Sequence, residues 1–180
     1  KNPKHYLFLN QLSQLSLTQA TNLSQWQGEC LFLNGLQQID ESIAKALAQF
    51  DGWLYLDGLQ QIDESVATAL TQFKCGRLSL NGLQQIDESV AIALAQWQGD
   101  ILSKLSLNGL QQIDESVAIA LVQWQGGILS LNGLQQIDES VAIALSQWKG
   151  DNLSLDGLQQ LDEAVAIALS QWEGDELFLN

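Results

Sequence analysis

Basic residues are scarce in this chain: seven Lys and Arg stand against 21 Asp and Glu, a formal charge of −14. Nucleic acid and anionic membrane surfaces are read by stripes of Lys and Arg, so neither is an expected partner. The acidic excess favours solubility, or a basic protein partner. Long apolar runs are also missing. Gln-Gln, Asp-Glu or Gly interrupts every hydrophobic stretch well short of the ~18–20 residues that span a bilayer, so no membrane insertion is expected. The opening Lys-Asn-Pro-Lys-His-Tyr has no apolar segment after it and is not an intact signal peptide. The absence of an initial Met suits a processed form or a fragment.

Reactive side chains are equally few. The single histidine, His5, precedes the repeated part of the chain. There is no Cys-x-x-Cys, no phosphate-cradling Gly loop and no Ser-His-Asp set, so no enzyme, cofactor or metal is expected. The two cysteines, Cys30 and Cys75, each lie just ahead of a strand, and those strands are two repeats apart. Strands spaced ~4.8 Å put the two Cα atoms roughly 9–10 Å apart, beyond the ~7 Å that a disulfide tolerates. They are expected not to be joined, which leans toward a reducing, cytoplasmic compartment.

What is present is repetition. LSLNGLQQIDESVAIAL occurs unchanged at 78–94, 105–121 and 129–145, with weaker copies from Leu7, Leu31, Leu54 and Leu153. The strand-opening leucines fall at 7, 31, 54, 78, 105, 129, 153 and 177, in steps of 24 or 23 except for one of 27 around Ile101-Leu102-Ser103-Lys104. After a tail of residues 1–6, residues 7–180 thus form one array of seven repeats and the first strand of an eighth.

Each unit switches period. Leu129-Ser130-Leu131 alternates as a short half-buried strand, and Asn132-Gly133 breaks it, with the glycine read as supplying positive φ. Val141, Ala144, Leu145 and Trp148 then share one helical face, with Asp138 as N-cap and Glu139 in the first turn. Gly150 is read as the left-handed residue that ends the helix. Returning helices make the strands parallel, and the crossover should be right-handed. Helices want ~8–10 Å between axes where strands want ~4.8 Å, so the stack should bend. The expectation is an α/β fold: a right-handed curved solenoid, parallel sheet on the concave side and short helices on the convex side. Ala91, Ala118, Ala142 and Ala166 moderate the bend. Trp26, Trp97, Trp124, Trp148 and Trp172, with Phe50 and Phe73 in the same register, read as core; only Trp53 falls outside that register.

The unit Leu129-Ser130-Leu131-Asn132-Gly133-Leu134-Gln135-Gln136-Ile137 resembles the leucine-rich repeat family's L-x-L-x-x-N-x-x-L. Leu134 takes the place of the usual inward Asn, and the first Leu of the family's longer L-x-x-L-x-L is absent. The likeness is greatest to short bacterial variants with an N-G-L turn. It implies a horseshoe and a non-enzymatic scaffold for protein–protein interaction.

The ends differ. In residues 7–30, Gln19 replaces the core Val, Asn22 a core Ala, and Ser16-Leu17 the Asp-Glu pair, which reads as an N-terminal cap. At the other end Val165, Ala168, Leu169 and Trp172 are retained up to Leu177-Phe178-Leu179-Asn180. That end implies a longer natural chain, a covering partner, or end-to-end self-association in which Lys1, Lys4 and His5 meet Glu173, Asp175 and Glu176.

Three ladders bear on function. Asp-Glu pairs from Asp40-Glu41 to Asp162-Glu163 read as helix caps, since no flexible loop of the kind hard cations favour accompanies them. Gln pairs such as Gln135-Gln136, with helix-end Gln147, read as structural amide ladders between repeats. The strand position between the leucines faces outward and holds Phe8, Phe32, Tyr55, Ser79, Ser106, Ser130, Ser154 and Phe178. Its three leading aromatics form an exposed patch of the kind that marks contact sites. The expected partner-binding set is therefore Phe8, Phe32 and Tyr55, continued by Ser79, Ser106, Ser130 and Ser154. Asn and Asp of the turns, Asn34 to Asp156, line the same face.

Overall fold

The computed structural model describes residues 5–74, 76–99 and 101–179. Three-residue strands alternate with short helices: β1 (Tyr6–Phe8), α1 (Leu17–Ser24), β2 (Cys30–Phe32), α2 (Glu41–Leu47), β3 (Trp53–Tyr55), α3 (Glu64–Leu70), β4 (Arg77–Ser79) and α4 (Glu88–Ala95). There follow β5 (Lys104–Ser106), α5 (Glu115–Leu121), β6 (Ile128–Ser130), α6 (Glu139–Ser146), β7 (Asn152–Ser154), α7 (Glu163–Leu169) and β8 (Glu176–Phe178). The strands form one eight-stranded parallel sheet in chain order. Leucine faces leucine throughout, from Leu7 opposite Leu31 to Leu153 opposite Leu177. Each strand lies against the strands of the adjacent repeats and each helix against the helices of the adjacent repeats, the contact pattern of a repeat solenoid.

Alternation in so short a strand fixes which side faces inward. The central leucine of β3 to β7 is fully buried, as are the leucine after each of those strands and the leucine after each turn glycine from Leu36 to Leu134. The helix contributes Val141, Ala144 and Leu145, and equivalents in other units, to the same core. Asp138 accepts from the Val141 backbone N–H at 2.9 Å, and Asp40, Asp63, Asp87, Asp114 and Asp162 do the same for their helices. Ser16 takes over this role in the first helix. Its hydroxyl accepts from the Gln19 N–H while the Gln19 side chain accepts from the Ser16 N–H, a capping box.

From Phe73 to Trp172 the core aromatics form a ladder. Trp97 and Trp124 stack with centroids 5.3 Å apart, Trp124 and Trp148 6.1 Å, Trp148 and Trp172 6.4 Å. The indole N–H of Trp97 donates to the Phe73 carbonyl, that of Trp148 to Trp124 and that of Trp172 to Trp148. Trp124 breaks the series, and its buried Nε1 has no acceptor among the described residues. Its counterpart acceptor, the Trp97 carbonyl, instead receives the Gly99 N–H at 2.9 Å, where the chain enters the longer connection to β5.

Two glycine expectations are corrected. No described residue has positive φ. Gly133 is required because the preceding repeat leaves no room: a Cβ would lie 2.1 Å from the Asn108 carbonyl oxygen and 2.6 Å from that of Leu110. Gly150 does not end the helix in a left-handed conformation. Gln147 closes α6 in the right-handed region, and a Cβ on Gly150 would lie 2.2 Å from the Trp148 ring. Cys30 is buried at the start of β2. Cys75, Lys1 and Lys4 lie outside the described residues, and with them the expectations on cysteine pairing and on the basic tail.

Candidate interaction surface on the sheet

With the middle residue of each strand turned into the core, fully buried in β2 to β7 and partly buried in β1 and β8, the residues on either side of it share the outer face of the sheet. They form two columns, each crossing all eight strands. The column between the leucines begins with Phe8, Phe32 and Tyr55, continues with serines on β4 to β7 and ends on the exposed Phe178. The ring centroids of Phe8 and Phe32 lie 4.4 Å apart and those of Phe32 and Tyr55 4.3 Å, each pair within 13° of parallel. In-register parallel strands bring equivalent side chains into contact, and planar rings exploit this by stacking. Phe8 keeps 60% of its surface exposed.

The serines behave differently, and the expectation that they face solvent is corrected. Ser79, Ser106 and Ser130 are buried, with 2%, 5% and 1% of their surface exposed, while Ser154 is half-buried. The cause is the turn residue of the preceding repeat. Asn81 Oδ1 accepts from the Ser106 hydroxyl at 2.8 Å and from the Asn108 backbone N–H at 2.9 Å. Asn108 does the same for Ser130 and Asn132, and Asn132 for Ser154 and Asp156. Asp57 accepts likewise from Ser79 and Asn81. These side chains are consumed in holding repeats together. Where Phe32 and Tyr55 replace serine, Asn10 and Asn34 still accept from the next turn's backbone, but ring stacking takes the place of the hydroxyl bond.

The second column was not singled out from the sequence. It comprises the residue before each central leucine: Tyr6, Cys30, Trp53, Arg77, Lys104, Ile128, Asn152 and Glu176. The signal was available, since period two places residues on both sides of a buried leucine outward. Trp53, out of register with the core tryptophans, belongs here. The Arg77 guanidinium lies 4.5 Å from the centre of the Trp53 ring, and its Nη1 donates to the Tyr55 hydroxyl at 3.4 Å. Arg77 and Lys104 are register partners on β4 and β5. Burial, and then the positive charge of Arg77, hold the Lys104 ammonium below the usual lysine pKa. Tyr6, Phe8, Phe32, Tyr55, Trp53 and these two cations therefore form one surface across β1–β5.

The other ladders prove structural or featureless. Asp63, Asp87, Asp114 and Asp138 sit below the usual carboxylate pKa. The backbone N–H of the valine three residues on (Val66, Val90, Val117, Val141) contributes most, followed by the hydroxyl of the serine two residues on. Among the described residues no group of His, Cys, Asp and Glu could hold a metal ion. The Gln pairs line a groove of about 880 Å³ along six repeats. Among the described residues its inter-repeat bonds are made by backbone, from Gln135 N–H to the Gln111 carbonyl and from Gln159 N–H to the Gln135 carbonyl, and not by the expected side-chain amide ladder. No described helix is long and apolar enough to cross a membrane.

Comparison of the chain with protein-family models, curated proteins and solved structures gives no match.

Proposed function

We propose that the chain is a leucine-rich-repeat-type scaffold, curved with its sheet on the concave side, and that it holds a protein partner on the outer face of β1–β3 without catalysing a reaction. The observation that carries this is the three-ring stack of Phe8, Phe32 and Tyr55, a continuous apolar ridge in a column that a serine–asparagine ladder closes on β4 to β7. Phe8 is exposed while Phe32 and Tyr55 are half-buried, and stacked rings that keep apolar surface in water supply rigid contact area when covered. The difference in preferred spacing between helices and strands supports the curvature, and the L-x-L-N-G-L spacing supports the repeat type.

The test is a selection of random twelve-residue peptides on the immobilised chain, repeated with Phe8, Phe32 and Tyr55 all changed to Ser. Serine is what β4 to β7 carry at this position, so the variant should fold and keep its circular dichroism. Peptides enriched on the native chain should carry apolar or aromatic anchors and lose binding to the variant. Undiminished affinity for the variant would remove the ridge from the interface.

A further inference from the structure

Arg77 and Lys104 are neighbours with no carboxylate partner among the described residues. Aligned on adjacent strands, their side chains leave the sheet side by side, the arrangement in which like charges repel. Both are half-buried, which weakens solvent screening of that repulsion. The chain does not lack carboxylates, since acids outnumber bases 21 to 7. Lys45 has Glu41 and Lys149 has Glu173. Among the described residues neither Arg77 nor Lys104 has any such partner. An arrangement that costs energy in the free chain is relieved by an anion bound between the two cations.

The neighbours define what kind of anion. Trp53 supports the guanidinium from one side and the Tyr55 hydroxyl receives one of its N–H groups, so Arg77 is held in place with donors to spare. Tyr55 is also the last ring of the apolar ridge, so the cation pair begins one strand beyond it, about 5 Å along the sheet. A ligand that covers both must carry an apolar group beside a negative one. The net charge of −14 disfavours dense polyanions and tolerates one or two compact charges.

We propose that Arg77 and Lys104 form a carboxylate subsite, and that the partner presents an extended peptide segment in which an aromatic or large apolar side chain lies one to three residues from Asp or Glu. This rests on the reading of the aromatic ridge as the docking surface, and for this face it proposes an acidic segment where net charge alone favours a basic partner. The apolar side chain covers Phe32 and Tyr55, and the carboxylate accepts from the Arg77 and Lys104 N–H groups.

The experiment is a fluorescence-anisotropy series on the full chain with acetylated, amidated peptides. Each carries one Phe and, one to three residues away, either Asp or its uncharged isostere Asn, with matching peptides in which Ala replaces Phe. The best Asp peptide should bind about tenfold or more tightly than its Asn twin at low salt. That gap should narrow as salt is raised and close in the R77Q/K104Q variant, which should still bind the Asn peptide as the native chain does. Equal binding of the Asp and Asn peptides to the native chain overturns the subsite, as does a gap that survives in the variant. Displacement of the tracer by inorganic phosphate at the same concentration as by the Asp peptide assigns the cations to free phosphate and overturns the peptide. If the Ala peptides bind as well as the Phe peptides while the Asp preference persists, the subsite stands and the ridge reading falls. If no peptide of the set binds, both fall.

Discussion

A single tryptophan shows how far a repeated residue depends on its neighbours. Trp124 and Trp148 occupy the same position of the repeat and are equally buried, yet only Trp148 has an acceptor for its indole N–H. The difference arises in the preceding repeat, where the longer connection draws the Gly99 N–H onto the Trp97 carbonyl. A buried donor without a partner costs about 1–3 kcal/mol, whereas a satisfied one contributes modestly. Replacing Trp148 with Phe therefore loses ring volume and a hydrogen bond, and strands the Trp124 carbonyl. Replacing Trp124 with Phe loses the same volume but removes an orphaned group. Urea denaturation should find W124F the less destabilised of the two by about 1–2 kcal/mol. Equal losses would mean that the indole of Trp124 is satisfied in solution. Sequence reading placed all five tryptophans of this register in the core; the orphan was not legible, because it depends on where one carbonyl points after an insertion.

At the scale of the element, the helix caps were read correctly from one unit, whereas the turn glycine was misread because its constraint lies in the neighbouring unit. A helix N-cap needs only Asp138 and the backbone three residues on, so all six aspartates were recognisable from the pattern D-E-[SA]. The glycine of each turn was assigned to positive φ, but the chain conformation there is ordinary and the constraint comes from the repeat before it. The two explanations separate experimentally. Asn tolerates positive φ far better than Ala does, yet it carries the same Cβ. Gly133→Asn and Gly133→Ala should therefore destabilise alike, by about 2 kcal/mol or more, since the Asn108 and Leu110 carbonyls must move. A much milder effect of Asn would restore the positive-φ explanation. The caps make a prediction about pH. Asp63, Asp87, Asp114 and Asp138 have folded-state pKa values depressed below 3.8, first by the valine N–H and then by the serine hydroxyl. A depressed carboxylate stabilises the fold above its unfolded pKa, and that stabilisation disappears as pH falls below about 3.8 through the folded values. Asn caps as well as Asp and does not titrate. Thermal melts of the fourfold Asp→Asn variant should show its Tm deficit, present at pH 6, shrinking or reversing by pH 2. A deficit that stays constant with pH would remove the carboxylates from the acid response.

For the molecule as a whole, the stack of parallel strands and returning helices followed from the spacing of the leucines, and the aromatic ridge from the period of the strand. Three features of the outer face did not. The serines looked exposed because their partners, Asp57 and the asparagines of the preceding turns, are 22 or 25 residues away. The column holding Trp53, Arg77 and Lys104 was overlooked because its residue type changes in every repeat. Arg77 and Lys104 become neighbours only across the irregular step of 27. Net charge, too, describes the stack and not this face. The stack multiplies acid groups in columns: exposed Glu64, Glu88, Glu115 and Glu139 each open a helix packed against the next. Like charges so arranged repel across the whole length when the Debye length is about 30 Å, at 0.01 M salt, and hardly at all when it is about 3 Å, at 1 M. The unfolded chain spreads the same charges apart, so self-repulsion weighs mainly on the fold. Raising sodium chloride from 0.01 to 0.5 M at pH 7 should therefore raise the Tm, while over the same range the affinity for an acidic peptide should fall. The two opposite slopes separate the charge of the molecule from the charge of its site. A Tm that is flat or falls with salt would show that the acidic columns do not strain the stack, and an affinity that rises with salt would show that the ligand meets the columns and not the cation pair.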